Sequence, residues 1–464
     1  MPRLSGGRPA RGQGAGPGHP GVPAMAPSMA SVKGRAEREY ETFKQSIVIF
    51  FNHLKKRNAL EVMSLVDVPA WWALRNKHID LFKEAVDALK PDELSKEELA
   101  ELRYAYRFAR ASYGEQMLKG YMNDAANFIY MEATTGGCAF TNEDDCANAR
   151  AMLQMLGLEE KHVVQACMHG ETLCPAHACL LDHENRRAVI CIRGTLTMED
   201  ALTNTAADAV EYADFLGGTV HQGMLQSAEW LLNDVQEKMI KAAVSHPKYD
   251  LIVSGHSLGA GAAAVVTLLL DTATEQRPRC FGFASVKGVG FATPGIVSKS
   301  IASNEEMKKI FTTVVYNRDI IPRLCVPKLD FMCYEVAREN TVSKAKKLFS
   351  SWMAGISDKA DKAESYCERK ELKKQETGSV EGMEDEPHFP LGRCVFYAQP
   401  EDGPLQCKQF ESVQCDKIFF NELMFNDHIL FNYGVAIGAE GAPAAANEHE
   451  DSTVIRPKSA FCCF

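Results

Sequence analysis

A serine flanked by glycines lies where the sequence changes from a strand-like to a helix-like pattern. Residues 249–253 include a short apolar run rich in β-branched residues, which predicts a buried strand, and the alanine-rich residues 260–266 predict a helix. Gly255-His256-Ser257-Leu258-Gly259 at that junction is typical of a nucleophile elbow, a tight turn that exposes a serine hydroxyl. The bare pattern also arises by chance, so the prediction depends on its strand–turn–helix context. We predict that Ser257 is a nucleophile.

A serine nucleophile needs a histidine base and a carboxylate that orients the histidine, and one known chain order is Ser, Asp, His. Residues 311–316 predict a strand, and Asp319 follows its end, although an ordinary loop aspartate would look the same. His428 lies just before an apolar run, whereas His388 and His449 lie in charged surroundings. A lone histidine beside apolar residues is commonly structural, but His428 completes the order. We predict Asp319 and His428 as the partners of Ser257.

A second candidate segment could stabilise negative charge on a reacting ester. Residues 188–192 predict a strand that runs into Arg193-Gly194-Thr195. The segment could be a plain strand exit. It could also be an oxyanion loop in which Thr195 offers its backbone N–H, with the N–H of Leu258 as the second donor.

Composition excludes several other classes of protein. The 464 residues carry a net charge of −10, which argues against nucleic acid as the main partner. The 15 cysteines are scattered and form no Cys-x-x-Cys pair, and Asn-x-Ser/Thr is absent, so we expect a reducing, cytoplasmic environment. A metal cluster is conceivable among six residues, but two predicted strands joined by a turn would separate them: Cys167, His169, Cys174, His177, Cys179 and His183. We predict no metal and no cofactor.

The first third of the chain differs from the rest. Residues 1–36 are rich in Gly, Pro, Ala and Arg and lack Asp and Glu, which predicts disorder rather than a targeting peptide. Residues 37–165 show helical periodicity, with Ser95 and Glu98 as a capping box. Their aromatic residues could form a membrane-facing belt or a core: Trp71, Trp72, Tyr104, Tyr106, Phe108 and Tyr113. No apolar run is long enough to predict a membrane span.

Two further segments interrupt or follow the predicted sheet. Residues 343–386 are dense in charge and predict an insert before His428. The insert could gate the active site or could be passive. Gating could be controlled by phosphorylation at Ser343, Ser350, Ser351 or Ser379. Residues 439–464 form a tail that ends in Cys462-Cys463-Phe464. These two cysteines could carry lipid chains that hold the protein on a membrane surface. A lid is expected in 196–215 or in the insert.

Taken together, these motifs resemble the class 3 (fungal-type) lipase family, and within it the sn-1-specific diacylglycerol lipases. The matching pieces, within 177–335 and 390–438, are Cys191-Ile-Arg-Gly-Thr-Leu, Glu199-Asp-Ala-Leu-Thr, His221-Gln-Gly-Met, Ser254-Gly-His-Ser-Leu-Gly-Ala-Gly, Pro294-Gly, Asp319-Ile-Ile-Pro-Arg and Asp427-His428. Asn204 stands where the family usually has an aspartate after the oxyanion loop, and the membrane spans of animal diacylglycerol lipases are not evident.

The resemblance implies an α/β-hydrolase fold with a mostly parallel sheet over 166–438. It implies Ser257, Asp319 and His428 as a catalytic triad and Thr195 with Leu258 as oxyanion donors. A glycerolipid substrate, most simply diacylglycerol cleaved at sn-1, and contact with a membrane surface follow from it. The alternatives are a phospholipase A1 or galactolipase, a soluble carboxylesterase, or a non-catalytic scaffold that keeps the lipase fold.

Overall fold

The computed structural model describes residues 68–118, 142–171, 173–195, 209–212, 217–325, 327–329, 331–332, 335, 387–399 and 403–440. Several predictions fall outside these ranges and stay predictions. They concern the disordered segment 1–36, nearly all of the proposed lid, the insert 343–386 and the cysteines at the end of the tail. Within the described ranges, no helix has the length and apolar character that a membrane span requires.

A twisted eight-stranded sheet forms the centre of the molecule, in the order β1-β2-β3-β6-β7-β8-β9-β10. Strands β3, β6, β7, β8 and β9 are parallel, and antiparallel strands flank them at both ends. A separate hairpin joins β4 and β5. The strands are β1 (Val163–Cys167), β2 (His177–Asp182), β3 (Arg187–Ile192), β4 (Ala209–Tyr212), β5 (Gly218–His221), β6 (Asp250–His256), β7 (Ser285–Phe291), β8 (Phe311–Tyr316), β9 (Arg393–Ala398) and β10 (Gln406–Phe410).

Helices cover both faces of this sheet. The main helices are α1 (Val68–Asp87), α2 (Lys96–Ala111), α3 (Glu115–Leu118), α4 (Asn142–Leu156), α5 (Gln222–Ser245), α6 (Leu258–Leu270), α7 (Lys299–Ala302), α8 (Glu305–Ile310) and α9 (Leu430–Ala436). Short 3₁₀ turns lie at Glu160–His162, Arg279–Gly282, Ile321–Arg323 and Ser412–Gln414.

The side chains of β3 show how the sheet divides two cores. Ala188, Ile190 and Ile192 pack with helices α5 and α6 on one face. Val189 and Cys191 point to the other face and pack with α2 and α4. Because strands buried on both faces have no solvated side, these central strands read as continuous apolar runs rather than as alternating patterns. The α/β-hydrolase expectation of a largely parallel, doubly covered sheet is confirmed.

The described helices of the predicted helical region, at 96–111 and 142–156, pack on one face of the sheet. Helix α2 begins with the predicted capping box, in which Glu98 N–H donates to Ser95 Oγ over 3.1 Å. Tyr104, Tyr106 and Phe108 on α2 are buried, as is Tyr113 in the turn that follows it. These four aromatic residues belong to the core and not to a membrane-facing belt.

Most predicted strands occur where the pattern placed them, with shifted ends. The hairpin of β2 and β3 is confirmed, as is β8. The apolar spacing after His221 predicts a helix to about residue 243, and α5 confirms it. Residues 288–294 predict a further strand, and the observed β7 lies earlier, from Ser285 to Phe291. The reason is visible at Ala292, which has a φ of 57° and leaves the strand conformation before Pro294 is reached.

Candidate active site

The turn between β6 and α6 has the geometry of a nucleophile elbow. Ser257 has φ 58° and ψ −130°, a conformation that is costly for a residue with a side chain. Its neighbours must be small, since a Cβ on Gly255 would lie 2.4 Å from the carbonyl oxygen of Gly259, and one on Gly259 would lie 2.4 Å from that of Ile192. The strained turn is thus held between α6 and the end of β3.

The hydroxyl of Ser257 meets the imidazole of His428. The Ser257 Oγ atom lies 2.9 Å from His428 Nε2, and both residues are buried, at 2% and 6% exposure. His428 is reached through the loop that follows β10 and precedes α9. The structure therefore brings together two predicted residues that are far apart in the sequence.

Asp319 completes a row of three side chains. Its carboxylate oxygens lie 3.0 and 3.1 Å from His428 Nδ1. Because a carboxylate accepts, Nδ1 carries the proton, and Nε2 is left to accept the hydrogen bond from Ser257. This arrangement lets an imidazole withdraw a proton from a serine hydroxyl.

Two additional donors fix the carboxylate of Asp319. The backbone N–H of Ile321 donates to Oδ1 over 2.8 Å, and the hydroxyl of Tyr433 donates to Oδ2. Asp319 itself is fully buried. Sequence reasoning did not identify Tyr433, and its one signal is a position within the helix that begins just after His428.

Asp427 joins the two loops that carry Asp319 and His428. Its Oδ2 accepts from Asn317 Nδ2 and from the backbone N–H of Arg318, both over 3.1 Å. Burial raises the pKa of Asp427 to about 7, and the charge of Asp319 adds to this, while the Arg318 backbone hydrogen bond and the charge of Arg318 oppose it. The sequence identified Asp427 as part of a motif but assigned it no contact.

The predicted oxyanion segment lies against the elbow. A Cβ on Gly194 would be 2.5 Å from the carbonyl oxygen of His256 and 3.1 Å from Ser257 Cβ, so the chain passes beside the nucleophile at this point. Thr195 follows directly. Leu258 is the first residue of α6, and the N–H groups of a first helical turn have no partner inside their helix. Leu258 thus follows Ser257 along the chain, and the segment that leads to Thr195 passes beside Ser257 in space.

Two members of the conceivable metal cluster make other contacts. His177 lies on β2 with its Nδ1 bonded to the carbonyl of Pro175 and its Nε2 3.3 Å from Asp234 Oδ2, and Cys179 is buried in the core. Across the part of the chain that is described, no three His, Cys, Asp or Glu side chains are grouped so as to hold a metal ion.

Comparisons with known proteins find similarity to lipases. Residues 189–329 match the family Lipase (class 3). The chain is 27% identical over 257 residues to diacylglycerol lipase-beta of Mus musculus, an alignment that covers 50% of this chain and 34% of that protein. It is 31% identical over 206 residues to diacylglycerol lipase-alpha of Homo sapiens, covering 40% of this chain and 18% of that protein.

The chain is similar to the class 3 lipases over residues 189–329. The resemblance to that family and to its diacylglycerol lipases is confirmed. Among solved structures, a lipase from Rhizopus microsporus var. chinensis superposes with a TM-score of 0.44 at 16% identity, covering 74% of this chain and 89% of the other. The chain spans about a third of the length of one curated diacylglycerol lipase and less than a fifth of the other.

Proposed function

We propose that this protein is a serine lipase that hydrolyses acyl esters of glycerolipids, and that it cleaves diacylglycerol at the sn-1 position. The observation that carries the proposal is the row of Ser257 Oγ, His428 and the Asp319 carboxylate, with consecutive distances of 2.9 and 3.0 Å. The similarity to two diacylglycerol lipases supports the choice of substrate.

The reaction that this row supports has two stages. Ser257 Oγ attacks the ester carbonyl carbon while His428 Nε2 takes the hydroxyl proton, and Asp319 stabilises the resulting imidazolium. The negative oxygen of the tetrahedral intermediate accepts from the N–H groups of Thr195 and Leu258. His428 then gives its proton to the departing glycerolipid alcohol, which leaves an acyl ester on Ser257.

Water completes the cycle. His428 takes a proton from a water molecule, which attacks the acyl ester on Ser257, and the second tetrahedral intermediate collapses. His428 returns the proton to Ser257 Oγ, and the fatty acid leaves. A donor lost from the oxyanion site typically lowers the rate by a factor of about 10² to 10³.

A fluorophosphonate probe separates a lipase from a non-catalytic scaffold with the same fold. We expect the wild-type protein to be labelled on Ser257, and the Ser257→Ala and His428→Ala variants to remain unlabelled. Ser245→Ala, which alters the last residue of α5, is the matched control and should label like the wild type. A wild-type protein that resists the probe would contradict the proposal.

The substrate class is tested with a panel of lipids at equal acyl concentration. Diacylglycerol, triacylglycerol, phosphatidylcholine and a galactolipid are presented in mixed micelles, and p-nitrophenyl butyrate is tested in solution. Fastest release from sn-1-labelled diacylglycerol supports the proposal. Preference for phosphatidylcholine or the galactolipid would favour the phospholipase A1 or galactolipase alternative, and activity confined to the soluble ester would favour a carboxylesterase.

Diacylglycerol resides in bilayers, so the proposed activity requires contact with a membrane surface. We propose a peripheral association and expect the full chain to sediment with diacylglycerol-containing vesicles. Mass spectrometry of the membrane-bound protein tests the predicted lipid chains on Cys462 and Cys463, which would appear as added acyl or prenyl mass on the last peptide.

A further inference from the structure

Two buried polar side chains lie beside the row of Ser257, His428 and Asp319 without belonging to it. Tyr113 and His256 are 1% and 3% exposed. The Tyr113 hydroxyl lies 2.8 Å from His256 Nδ1, and His256 Nε2 lies 2.9 Å from the backbone carbonyl oxygen of His428. The imidazole rings of His256 and His428 are stacked, with centroids 4.7 Å apart and planes inclined by 26°.

The protonation of these groups fixes which atom donates in each hydrogen bond. A carbonyl oxygen only accepts, so Nε2 of His256 carries a proton. Burial and the neighbouring His428 hold the pKa of His256 well below its usual range, so the ring is neutral and Nδ1 is an acceptor. Tyr113 must then donate to Nδ1. Its own pKa is raised by burial, which keeps the hydroxyl proton in place.

The other end of the chain of contacts is the predicted oxyanion loop. The hydroxyl of Tyr113 lies against the backbone of Gly194. The fit is close, since a Cβ on Gly194 would lie 2.6 Å from the tyrosine oxygen. The residue that follows is Thr195, a proposed donor to the reacting ester. Tyr113 therefore packs against Gly194, and hydrogen bonds run from its hydroxyl through His256 to the backbone of His428.

His256 holds His428 in two independent ways. Its Nε2–H fixes the backbone carbonyl, and its stacked ring limits the rotation of the neighbouring imidazole. The side chain of His428 must keep Nε2 on Ser257 and Nδ1 on Asp319 together, so a small rotation would lengthen one of these hydrogen bonds. Such misplacements are costly because proton transfer depends on the alignment of donor and acceptor.

We propose that Tyr113 and His256 are positioning residues that keep the oxyanion loop and the catalytic imidazole in register through this chain of contacts. The inference rests on the proposed function and deepens it. Tyr113 lies upstream of the family match at 189–329, so a residue from the helical region takes part in organising the active site. The region is tied to the elbow strand as well, where Ser254 Oγ donates to the carbonyl of Ala105 over 3.0 Å.

The first test removes one hydroxyl. In Tyr113→Phe, His256 Nδ1 loses its partner, and the oxygen that packs against Gly194 is removed. We expect kcat for p-nitrophenyl butyrate, per active site titrated with a fluorophosphonate, to fall roughly 10- to 100-fold while KM stays within about twofold. Tyr104→Phe is the matched control, because Tyr104 is buried on α2 and donates to Asp182 over 3.0 Å, away from the site.

The second test asks whether the effect of Tyr113 passes through His256. In His256→Phe a stacked ring remains, but the donor to the His428 carbonyl is lost, so kcat should fall at least as far as in Tyr113→Phe. The double variant Tyr113→Phe/His256→Phe should lose little beyond His256→Phe alone, since the two residues act as one unit. If the kcat losses of the two single variants instead multiply in the double variant, the two residues act through independent packing effects, and the inference is overturned.

The outcomes also separate this inference from the proposed function. If the probe labels the wild type but Tyr113→Phe and Tyr104→Phe have equal kcat, the positioning role is overturned and the lipase proposal remains intact. A wild-type protein that neither labels nor hydrolyses the ester would overturn both. If His256→Phe fails to fold, the comparison of the two tyrosine variants still decides the question.

Discussion

The two corners of the active site are built in different ways. At the elbow, the strained serine, its flanking glycines and the start of α6 are consecutive in sequence, and their geometry follows from a single strand–turn–helix. At the histidine corner, Asp319, Asp427, His428 and Tyr433 come from two segments more than a hundred residues apart, and buried hydrogen bonds join them. The first corner depends on the absence of side chains, and the second depends on polar side chains being fully paired.

This contrast predicts different kinds of damage. Adding an atom should break the elbow, because there is no space for it. Removing an atom should loosen the histidine corner without unfolding it, because buried polar groups lose partners while the packing remains. Variants at three sites, Gly259, Tyr433 and Asp427, test this contrast in order of the effect expected.

Gly259→Ala should have the largest effect. The new Cβ would lie 2.4 Å from the carbonyl oxygen of Ile192 and 2.6 Å from the carbonyl carbon of Arg193, both backbone atoms that cannot turn aside. Helix α6 must move away from β3, and Ser257 moves with it. We expect fluorophosphonate labelling to fall more than about 100-fold, with a loss of about 1–3 kcal/mol in the free energy of unfolding.

Gly261→Ala on the same helix is the matched control. Its Cβ would lie 2.9 Å from Pro294 Cγ and 3.0 Å from Met224 Sδ, which are side-chain atoms. The methionine can rotate and Cγ of the proline ring can move by a change of pucker, so this variant should keep most of its labelling rate. Equal losses in the two variants would show that α6 responds to any added volume, and the elbow would not be the tighter site.

The same contrast explains what could be predicted from sequence. The elbow, the capping box of α2 and the hairpin of β2 and β3 are local patterns, and each occurs where it was expected. The pairing of Asp319 with His428 could be anticipated from the required order of residue types. The contacts of Tyr113, Asp427 and Tyr433 could not, since a buried tyrosine or aspartate has no local pattern that names its partner. The packing of the helical region on the sheet was also missed, because amphipathic periodicity shows that a face is buried but not against what.

Tyr433→Phe should have an intermediate effect. The variant keeps the ring, which packs in the core with Val314 and Phe291, and removes the hydroxyl that donates to Asp319. Hydrogen bonds to charged groups contribute about 1.5–3 kcal/mol, and we expect about a tenfold loss of kcat as Asp319 gains freedom beside His428. Tyr104→Phe again serves as the control, and a kcat equal to that of the control would show that Ile321 alone holds the carboxylate.

Asp427→Asn should have the smallest effect on activity and a distinctive effect on stability. The amide oxygen can still accept from Asn317 and Arg318, so kcat should stay within about threefold, whereas Asp427→Ala removes the acceptor and should lower kcat about tenfold. The folded-state pKa of Asp427 is raised from 3.8 to about 7, so the folded state binds the proton more tightly than the unfolded chain does. The aspartate therefore lowers the free energy of unfolding progressively as the pH rises from 4 to 7, and this destabilisation reaches its full size above that range.

Denaturant unfolding of the wild type and of Asp427→Asn at a series of pH values measures this pH-dependent difference in the free energy of unfolding. Relative to the wild type, Asp427→Asn should gain stability as the pH rises, reaching on the order of 3 kcal/mol at pH 8, and should lose that advantage near pH 4. A gain that does not vary with pH would mean that packing, and not the buried charge, sets the difference. A histidine corner that tolerates an uncharged acceptor but not its removal would be held together by hydrogen bonds, while the elbow would be held by the close approach of backbone atoms.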